Sequence, residues 1–260
     1  MAVEPTGPVV VGVDGSPGSL AAVELAAEEA LARVTPMVVV HTGDDPVEAE
    51  RLAADARCEH PGLSVSARAV RDDSAETLLA MSATACLLVV AGDARFAGRV
   101  AGRARTPVVV HHPLDTAPPS ELPRSVAVGV AAIAGSEPVL GFAFAEASLR
   151  GAPPLAVHVW SRPADTRSGR SAYDYPRARD HAERMLADAV DAWSEKYPDV
   201  QVCWTTKHNL DVAAALRAAA HSAQLLVVGR LSHAGAARPV PAEVIRHGFC
   251  PVAVVPQQIG

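Results

Sequence analysis

The sequence is poor in aromatic residues, which make up 4% of it, and it contains only two lysines against 21 arginines. Hydrophobic residues nevertheless account for 49% of the chain, so the core must be built from valine, leucine and alanine. The net charge is −6, and neither half has the basic excess that is typical of nucleic-acid-binding proteins. We therefore expect no nucleic-acid partner.

Cysteines are few, and long apolar runs are missing. The four cysteines stand far apart without a CxxC pair: Cys58, Cys86, Cys203 and Cys250. This spacing argues against a zinc finger or a disulfide framework, and it predicts reduced, mostly buried thiols. No apolar run approaches the roughly 18 residues of a membrane-spanning helix, and the first residues do not resemble a signal peptide. We expect a cytoplasmic protein without a membrane partner.

Five short apolar runs occur in the same order in each half of the chain. The matched runs are 8–19 with 125–136, 37–41 with 155–158, 63–70 with 200–207, 87–90 with 225–228, and 107–110 with 251–254. Gly12 and Gly129 lie 117 residues apart, as do His41 and His158. This repetition indicates an internal duplication.

Helix-like stretches separate these runs. They cover 19–34, 45–59, 73–82, 136–150, 174–197 and 210–221. The alternation predicts an α/β fold of two tandem five-stranded parallel open sheets flanked by helices. The proline-rich stretch 113–124 is typical of a linker, so we place a first domain at 1–112 and a second at 125–260.

The turn GVDGS at 12–16 is the first candidate site, because ligands of parallel sheets bind beyond the carboxyl ends of the strands. Its glycines would let the backbone approach a phosphate or a base. Asp14 could accept hydrogen bonds from ribose or adenine. Alternatively, the glycines simply permit a tight turn, and Ser16 or Ser19 caps the following helix.

The run VVVGVDGSPGS, together with the closing VIRHGFCPVAVV at 244–255, resembles the universal stress protein family over about 9–111 and 125–256. The resemblance implies a role in stress, and a nucleotide at the carboxyl ends of the strands. Members that bind ATP carry G-x2-G-x9-G-[ST] between strands four and five, where backbone N–H groups cradle the phosphates. The candidate nucleotide-binding residues are Gly12, Val13, Asp14, Gly15, Ser16, Val40, Gly129, Val130, Gly229, Arg230, Ser232 and Arg238.

Both copies depart from that motif. In the second, Gly229 is kept, but Ser232 replaces the next glycine, and Arg238 and Pro239 stand where Gly and Ser or Thr belong. Proline has no N–H to donate, and arginine does not readily adopt positive φ, although its guanidinium could bind phosphate directly. The second copy also has Ala131 where the aspartate belongs.

The first copy keeps Asp14 but leaves only 93–106 between Gly92 and Pro107, too few residues for the phosphate loop. We therefore predict a regulatory or binding protein with degenerate nucleotide sites that is not a tight ATP binder and not an enzyme. It would act on an unidentified protein partner or hold a small anionic ligand. The alternative is a stress-response protein that binds ATP, AMP or a cyclic nucleotide at one residual site. No catalytic or metal-binding set is apparent in the sequence.

Two further features of the second copy bear on function. An arginine-rich insertion at 161–184 follows its second strand. It could form a lid or an anion-contacting arm, but the interspersed acidic residues favour a solvated loop that leads into an amphipathic helix.

The fifth strands, 107–110 and 251–254, could pair with each other within the chain. Such an intramolecular pseudo-dimer would cover two edges that otherwise invite aggregation. A homodimer of the whole chain is also compatible with the sequence.

Overall fold

Strands and helices alternate along the chain, as the sequence predicts. The structure, a computed structural model, describes residues 7–43, 45–71, 73–91, 93–111, 124–131, 135–161, 174–209, 211–230 and 240–257. Its strands are β1 (Val9–Val13), β2 (Met37–His41), β3 (Val65–Ala69), β4 (Leu87–Val90), β5 (Val108–Val110), β6 (Val126–Gly129), β7 (Pro154–Trp160), β8 (Cys203–His208), β9 (Leu225–Gly229) and β10 (Val252–Val255). Its helices are α1 (Pro17–Ala32), α2 (Pro46–Glu59), α3 (Ser74–Met81), α4 (Ala94–Ala101), α5 (Glu137–Arg150), α6 (Tyr175–Ser194), α7 (Val212–Ala219) and α8 (Val240–His247).

The chain divides into two units. Unit 1 comprises 1–116 and 230–256, and unit 2 comprises 117–229 and 257–260. The last helix and strand of the second sequence repeat, α8 and β10, therefore group with unit 1. The predicted linker lies almost entirely outside the described residues.

In unit 1 the strands follow the order β3-β2-β1-β4-β5-β10. The first five are parallel, and β10 pairs antiparallel with β5, with Val252 opposite Val110 and Val254 opposite Val108. The predicted pairing of the two fifth strands within one chain is confirmed. Since β5 is paired on both sides, it presents no open edge.

In unit 2 the strands follow the order β9-β6-β7-β8, and all of them are parallel. The predicted α/β class, with parallel sheets flanked by helices, is confirmed. All five residues of β1 and all four of β4 are buried. Burial at consecutive positions means that both faces of these strands are covered.

Two glycines at equivalent places let a helix approach the sheet closely. A Cβ on Gly12 would lie 2.7 Å from Leu78 Cδ1, and a Cβ on Gly129 would lie 2.9 Å from Leu216 Cδ1. Leu78 belongs to α3, and Leu216 belongs to α7. The same glycine–leucine contact therefore occurs in both repeats.

Helices α1 and α5 each end in a buried i,i+4 ion pair, Glu29–Arg33 in the first repeat and Glu146–Arg150 in the second. Both acids and both bases are 117 residues apart. The glutamate side chains are almost completely buried, whereas glutamate is rarely buried unless it is paired. This repeated pair is a further mark of the duplication.

The residue after each of these ion pairs adopts left-handed backbone. Gly151 has φ 58°, and Val34, 117 residues earlier, has φ 53°. The left-handed region costs an L-residue about 1–2 kcal/mol, and β-branched side chains are rarely found there. Val34 is 93% exposed, so its side chain gains little packing in return.

We expect Val34→Gly to stabilise unit 1 by about 0.5–1 kcal/mol, because relief of the strain exceeds the entropic cost of glycine. Urea unfolding followed by circular dichroism measures this. The matched change Gly151→Val should destabilise the protein. A Val34→Gly variant that is less stable than the parent would contradict the assignment of strain.

The expectation of mostly buried thiols is wrong. Cys250 is buried, Cys86 is intermediate, and Cys58 and Cys203 are exposed, and none of the four forms a disulfide. Cys58 lies near the end of the surface helix α2, and Cys203 opens β8, which has a neighbouring strand on one side only. Within the described residues, no helix is long and apolar enough to cross a membrane.

Candidate functional site

The turn after β1 is held by a closed set of hydrogen bonds around Asp14. The backbone N–H of Ser16 and the hydroxyl of Ser19 both donate to Asp14 Oδ1, over 3.0 and 2.6 Å. The backbone N–H of Asp14 in turn donates to Ser19 Oγ at 3.0 Å. Because Ser19 is fully buried, it anchors the exposed turn to the body of unit 1.

This arrangement favours an ionised carboxylate. Partial burial raises the pKa of Asp14, but the hydrogen bonds from Ser16 and Ser19 outweigh that effect and hold the pKa below its usual range. Both bonds use Oδ1. Asp14 is exposed, so a ligand can reach its carboxylate.

His41 lies beneath the same turn. Gly15 has φ 77°, which favours glycine, and a Cβ there would be 3.6 Å from His41 Nε2. The other ring nitrogen, Nδ1, is 3.1 Å from both the backbone N and O of Gly43. The histidine therefore supports the loops that follow β1 and β2.

The remaining candidates of the first repeat lie in the sheet. Gly12 packs against Leu78, and Val40 is fully buried and in register with Gly12. The carbonyl of Val13 accepts from the backbone N–H of Thr42 at 2.8 Å. Only Asp14, Gly15 and Ser16 of the six first-repeat candidates therefore lie at the surface.

The structure places helix α4 directly after β4, where relatives that bind ATP would carry the phosphate loop. Asp93 is its N-cap, and Asp93 Oδ1 accepts from the backbone N–H groups of Arg95 and Phe96, each at 2.8 Å. These amides are the groups with which a helix N-terminus binds a phosphate. The chain's own carboxylate therefore occupies that position.

Carboxylates also occupy the starts of the two preceding helices. Asp45 caps α2, and Asp73 caps α3 and pairs with Arg99 at 2.6 Å. Desolvation raises the pKa of Asp73, but the bonds from the Ala75 amide and Arg99 outweigh it and lower the pKa. At the carboxyl edge of unit 1, Asp45, Asp73 and Asp93 therefore each bond helix N-terminal amides that could otherwise bind a nucleotide phosphate.

In unit 2 the loop after β6 differs. The carbonyl oxygen of Val130 lies 2.7 Å from His158 Nδ1, and the backbone N–H of Val130 donates to the carbonyl of Val157. Gly129 packs against the side chain of Leu216. Ala131, 117 residues after Asp14, is exposed and offers no acceptor from its side chain.

Gly229, which ends β9, and Arg230, which follows it, both contact other parts of their own units. A Cβ on Gly229 would lie 3.1 Å from Val139 Cγ2, so the glycine lets α5 pack closely. Within unit 1, the guanidinium of Arg230 donates to the carbonyl of Ala104. The backbone N–H of Arg230 donates to the carbonyl of Val255. Ser232 and Arg238 lie outside the described residues.

Aromatic rings cover the carboxyl ends of β7 and β8. Trp160 lies 4.6 Å from His208 and 5.3 Å from Tyr175, measured between ring centroids. Tyr175 begins α6, an amphipathic helix that buries Leu186 and Val190. The predicted amphipathic helix is present and begins within the arginine-rich insertion at 161–184, and residues 162–173 of that insertion lie outside the described part.

Sequence reasoning missed the Asp93 cap, and it considered Ser19 only as a helix cap, whereas the buried hydroxyl of Ser19 bonds to Asp14. That role of Ser19 could have been inferred from the repeat, because Ser136 follows it by 117 residues and is also buried. Asp93 could have been found from its position as an N-cap residue before an apolar, arginine-rich stretch.

Comparison with known proteins agrees with this architecture. The model of the universal stress protein family matches residues 6–80 and 123–256, two segments that fit the tandem duplication. A universal stress protein of Mycobacterium tuberculosis H37Rv is 30% identical over 262 residues, covering 87% of each chain. A second from the same strain is 31% identical over 262 residues, covering 87% of this chain and 88% of that protein.

Two solved structures share the fold over nearly the whole chain. A universal stress protein from Archaeoglobus fulgidus has a TM-score of 0.66 at 14% identity and covers 97% of both chains. A functionally unknown protein from Pseudomonas aeruginosa has a TM-score of 0.67 at 16% identity, covering 98% of this chain and 94% of that one. At these identities the likeness concerns the fold alone.

Proposed function

The chain belongs to the universal stress protein family, and we propose that it is a non-enzymatic regulatory member whose two nucleotide sites have degenerated. It would act by presenting a surface to a protein partner, with at most weak binding of a small anion. It would not bind ATP tightly in either repeat.

The observation that carries this proposal is the capping of the N-terminus of α4. The backbone N–H groups that could bind a phosphate there donate to Asp93 Oδ1 instead. A nucleotide phosphate would have to displace a covalently tethered carboxylate and approach an edge that also carries Asp14, Asp45 and Asp73. Displacement of that carboxylate would also cost the hydrogen bonds that it accepts from the Arg95 and Phe96 amides.

The second repeat supports the same proposal from other residues. Its equivalent of Asp14 is Ala131. The Val130 carbonyl is engaged by His158, and the Arg230 guanidinium is engaged by the Ala104 carbonyl. These groups would have to leave their partners before they could contact a base or a phosphate.

A residual adenine nucleotide site in the first repeat is the alternative, and one observation favours it. Asp14 is ionised at neutral pH and is exposed, and it lies beside Gly15, whose φ of 77° shapes the turn. If this alternative holds, Asp14→Ala should weaken AMP binding at least tenfold, with Asp55→Ala, on the exposed face of α2, as the control. Equal affinity of the two variants would reject it.

The proposal is tested on protein as it is purified from its host. Heat extraction followed by chromatography should release far less than one equivalent of any adenine nucleotide. Release of nearly one equivalent per chain would contradict degeneration of the sites. Loss of that nucleotide in Asp14→Ala would then assign it to the first repeat.

A further inference from the structure

We infer that Glu24, Glu59 and His60 form a binding site for a divalent transition-metal ion of the zinc class on the surface of unit 1. Each residue offers one ligand atom, and the three atoms lie within 4.8 Å of one another. Glu24 belongs to α1, and the other two lie at the end of α2. The site is distinct from the carboxyl edge of the sheet, because α2 ends where the chain turns back to begin β3.

The donor set fits the ion. Zinc holds carboxylate oxygen and imidazole nitrogen at about 2.0–2.2 Å, which places neighbouring ligands of a tetrahedron about 3.3 Å apart. His60 Nε2 and Glu24 Oε2 are already 3.0 Å apart. Since all three atoms lie within 4.8 Å, the third ligand needs to move by at most about 1.5 Å, within the reach of a rotamer adjustment in an exposed glutamate.

Charge gives an independent reason for a cation. In the part of the chain that the structure describes, neither Glu24 nor Glu59 is paired with a lysine or an arginine. Two carboxylates this close repel each other. A dication between them removes that repulsion, and a neutral imidazole completes a set of three protein ligands with room for water.

The second repeat shows that packing alone can close the equivalent helix pair. Gly141, 117 residues after Glu24, lies where a Cβ would approach Trp193 to 2.6 Å. Phe144 packs against Trp193 and Tyr197 in tilted arrangements, with ring centroids 6.1 and 5.8 Å away. Where α5 and α6 meet through aromatic rings, α1 and α2 instead bring together two carboxylates and an imidazole.

Bound metal would tie the middle of α1 to the end of α2. Because the ion would bind the folded chain and not the separated ligands of the unfolded chain, it should stabilise unit 1 in proportion to its free concentration. This site and its effect do not depend on whether the nucleotide sites have degenerated.

The test is calorimetric titration of chelator-treated full-length protein with zinc chloride. All variants carry Cys58→Ser and Cys203→Ser, so that the exposed thiols do not contribute. We expect one site per chain, with affinity reduced at least tenfold by His60→Gln and by Glu24→Gln. His247→Gln, which changes an exposed histidine at the end of α8, should leave the affinity unchanged.

Cobalt provides a second readout. The parent should show the visible absorption of a low-coordinate Co²⁺ site, and His60→Gln should lose it. Zinc binding that survives both His60→Gln and Glu24→Gln would overturn the assignment, as would an equal loss in His247→Gln. Absence of any saturable zinc binding by the parent would overturn it as well.

Discussion

Leu78→Ala should lower the free energy of unfolding by about 4 kcal/mol, a large fraction of the stability of a typical domain. Leu78 is completely buried and packs against Gly12 at the end of the first strand. Glycine contributes no side chain that could fill the cavity, so the site can collapse only if the backbone of β1 moves. We therefore expect a loss in the upper half of the range for buried leucines.

Urea unfolding followed by far-ultraviolet circular dichroism measures this loss. All three tryptophans, Trp160, Trp193 and Trp204, lie in unit 2, so fluorescence reports that unit and helps to locate the damage. Leu20→Ala, an exposed leucine on α1, is the control and should cost less than about 0.5 kcal/mol. Equal effects of the two substitutions would mean that the contact beneath Gly12 is not tightly packed.

Arg150→Ala should cost about 2–3 kcal/mol. Its guanidinium lies 3.1 Å from Glu146, whose side chain is 1% exposed. Removal of the arginine leaves the buried carboxylate without the positive charge that offsets its desolvation. For fully buried pairs, the resulting loss in the free energy of unfolding reaches about 3–5 kcal/mol. Arg150 is itself 18% exposed, so solvent screening places the expected value below that range.

Tryptophan fluorescence follows this loss, because the pair belongs to unit 2. Adding Glu146→Gln to Arg150→Ala should recover part of the stability, since a neutral amide is cheaper to bury than a carboxylate. Arg51→Ala removes exposed pairs with Asp55, which has the same i,i+4 spacing, and with Glu48, and it should have a much smaller effect on stability than Arg150→Ala. If Arg150→Ala were as mild as Arg51→Ala, the buried pair would not be important for stability.

The framework of the fold could be predicted from the sequence because buried parallel strands have a strong signature. Runs such as 37–41 and 87–90 are almost entirely apolar, and their repetition in one order identified the duplication. Helix bounds were less certain. Helix α1 begins two residues before the predicted Ser19, because the hydroxyl of Ser19 bonds to Asp14 instead of capping the helix.

The candidate site was harder to predict, because its character depends on hydrogen bonds and not on residue type. The glycines at 12 and 129 suggested a ligand, whereas the structure assigns them to contacts with leucines of α3 and α7. Helix α4 was not expected in a segment that contains Gly98 and Gly102, and Asp93 makes it possible as an N-cap. The three residues Glu24, Glu59 and His60 lack metal-binding spacing in sequence, since folding brings α1 beside the end of α2.

Degeneration of the nucleotide sites can be tested by calorimetric titration of the purified, nucleotide-free chain with ATP, AMP and cyclic AMP. We expect no saturable heat for ATP below roughly millimolar concentration, where a dissociation constant corresponds to about −4 kcal/mol. The Asp14→Ala variant should give the same trace as the parent. A micromolar dissociation constant for ATP in the parent, lost in Asp14→Ala, would contradict degeneration of the sites and establish that the first repeat still binds nucleotide.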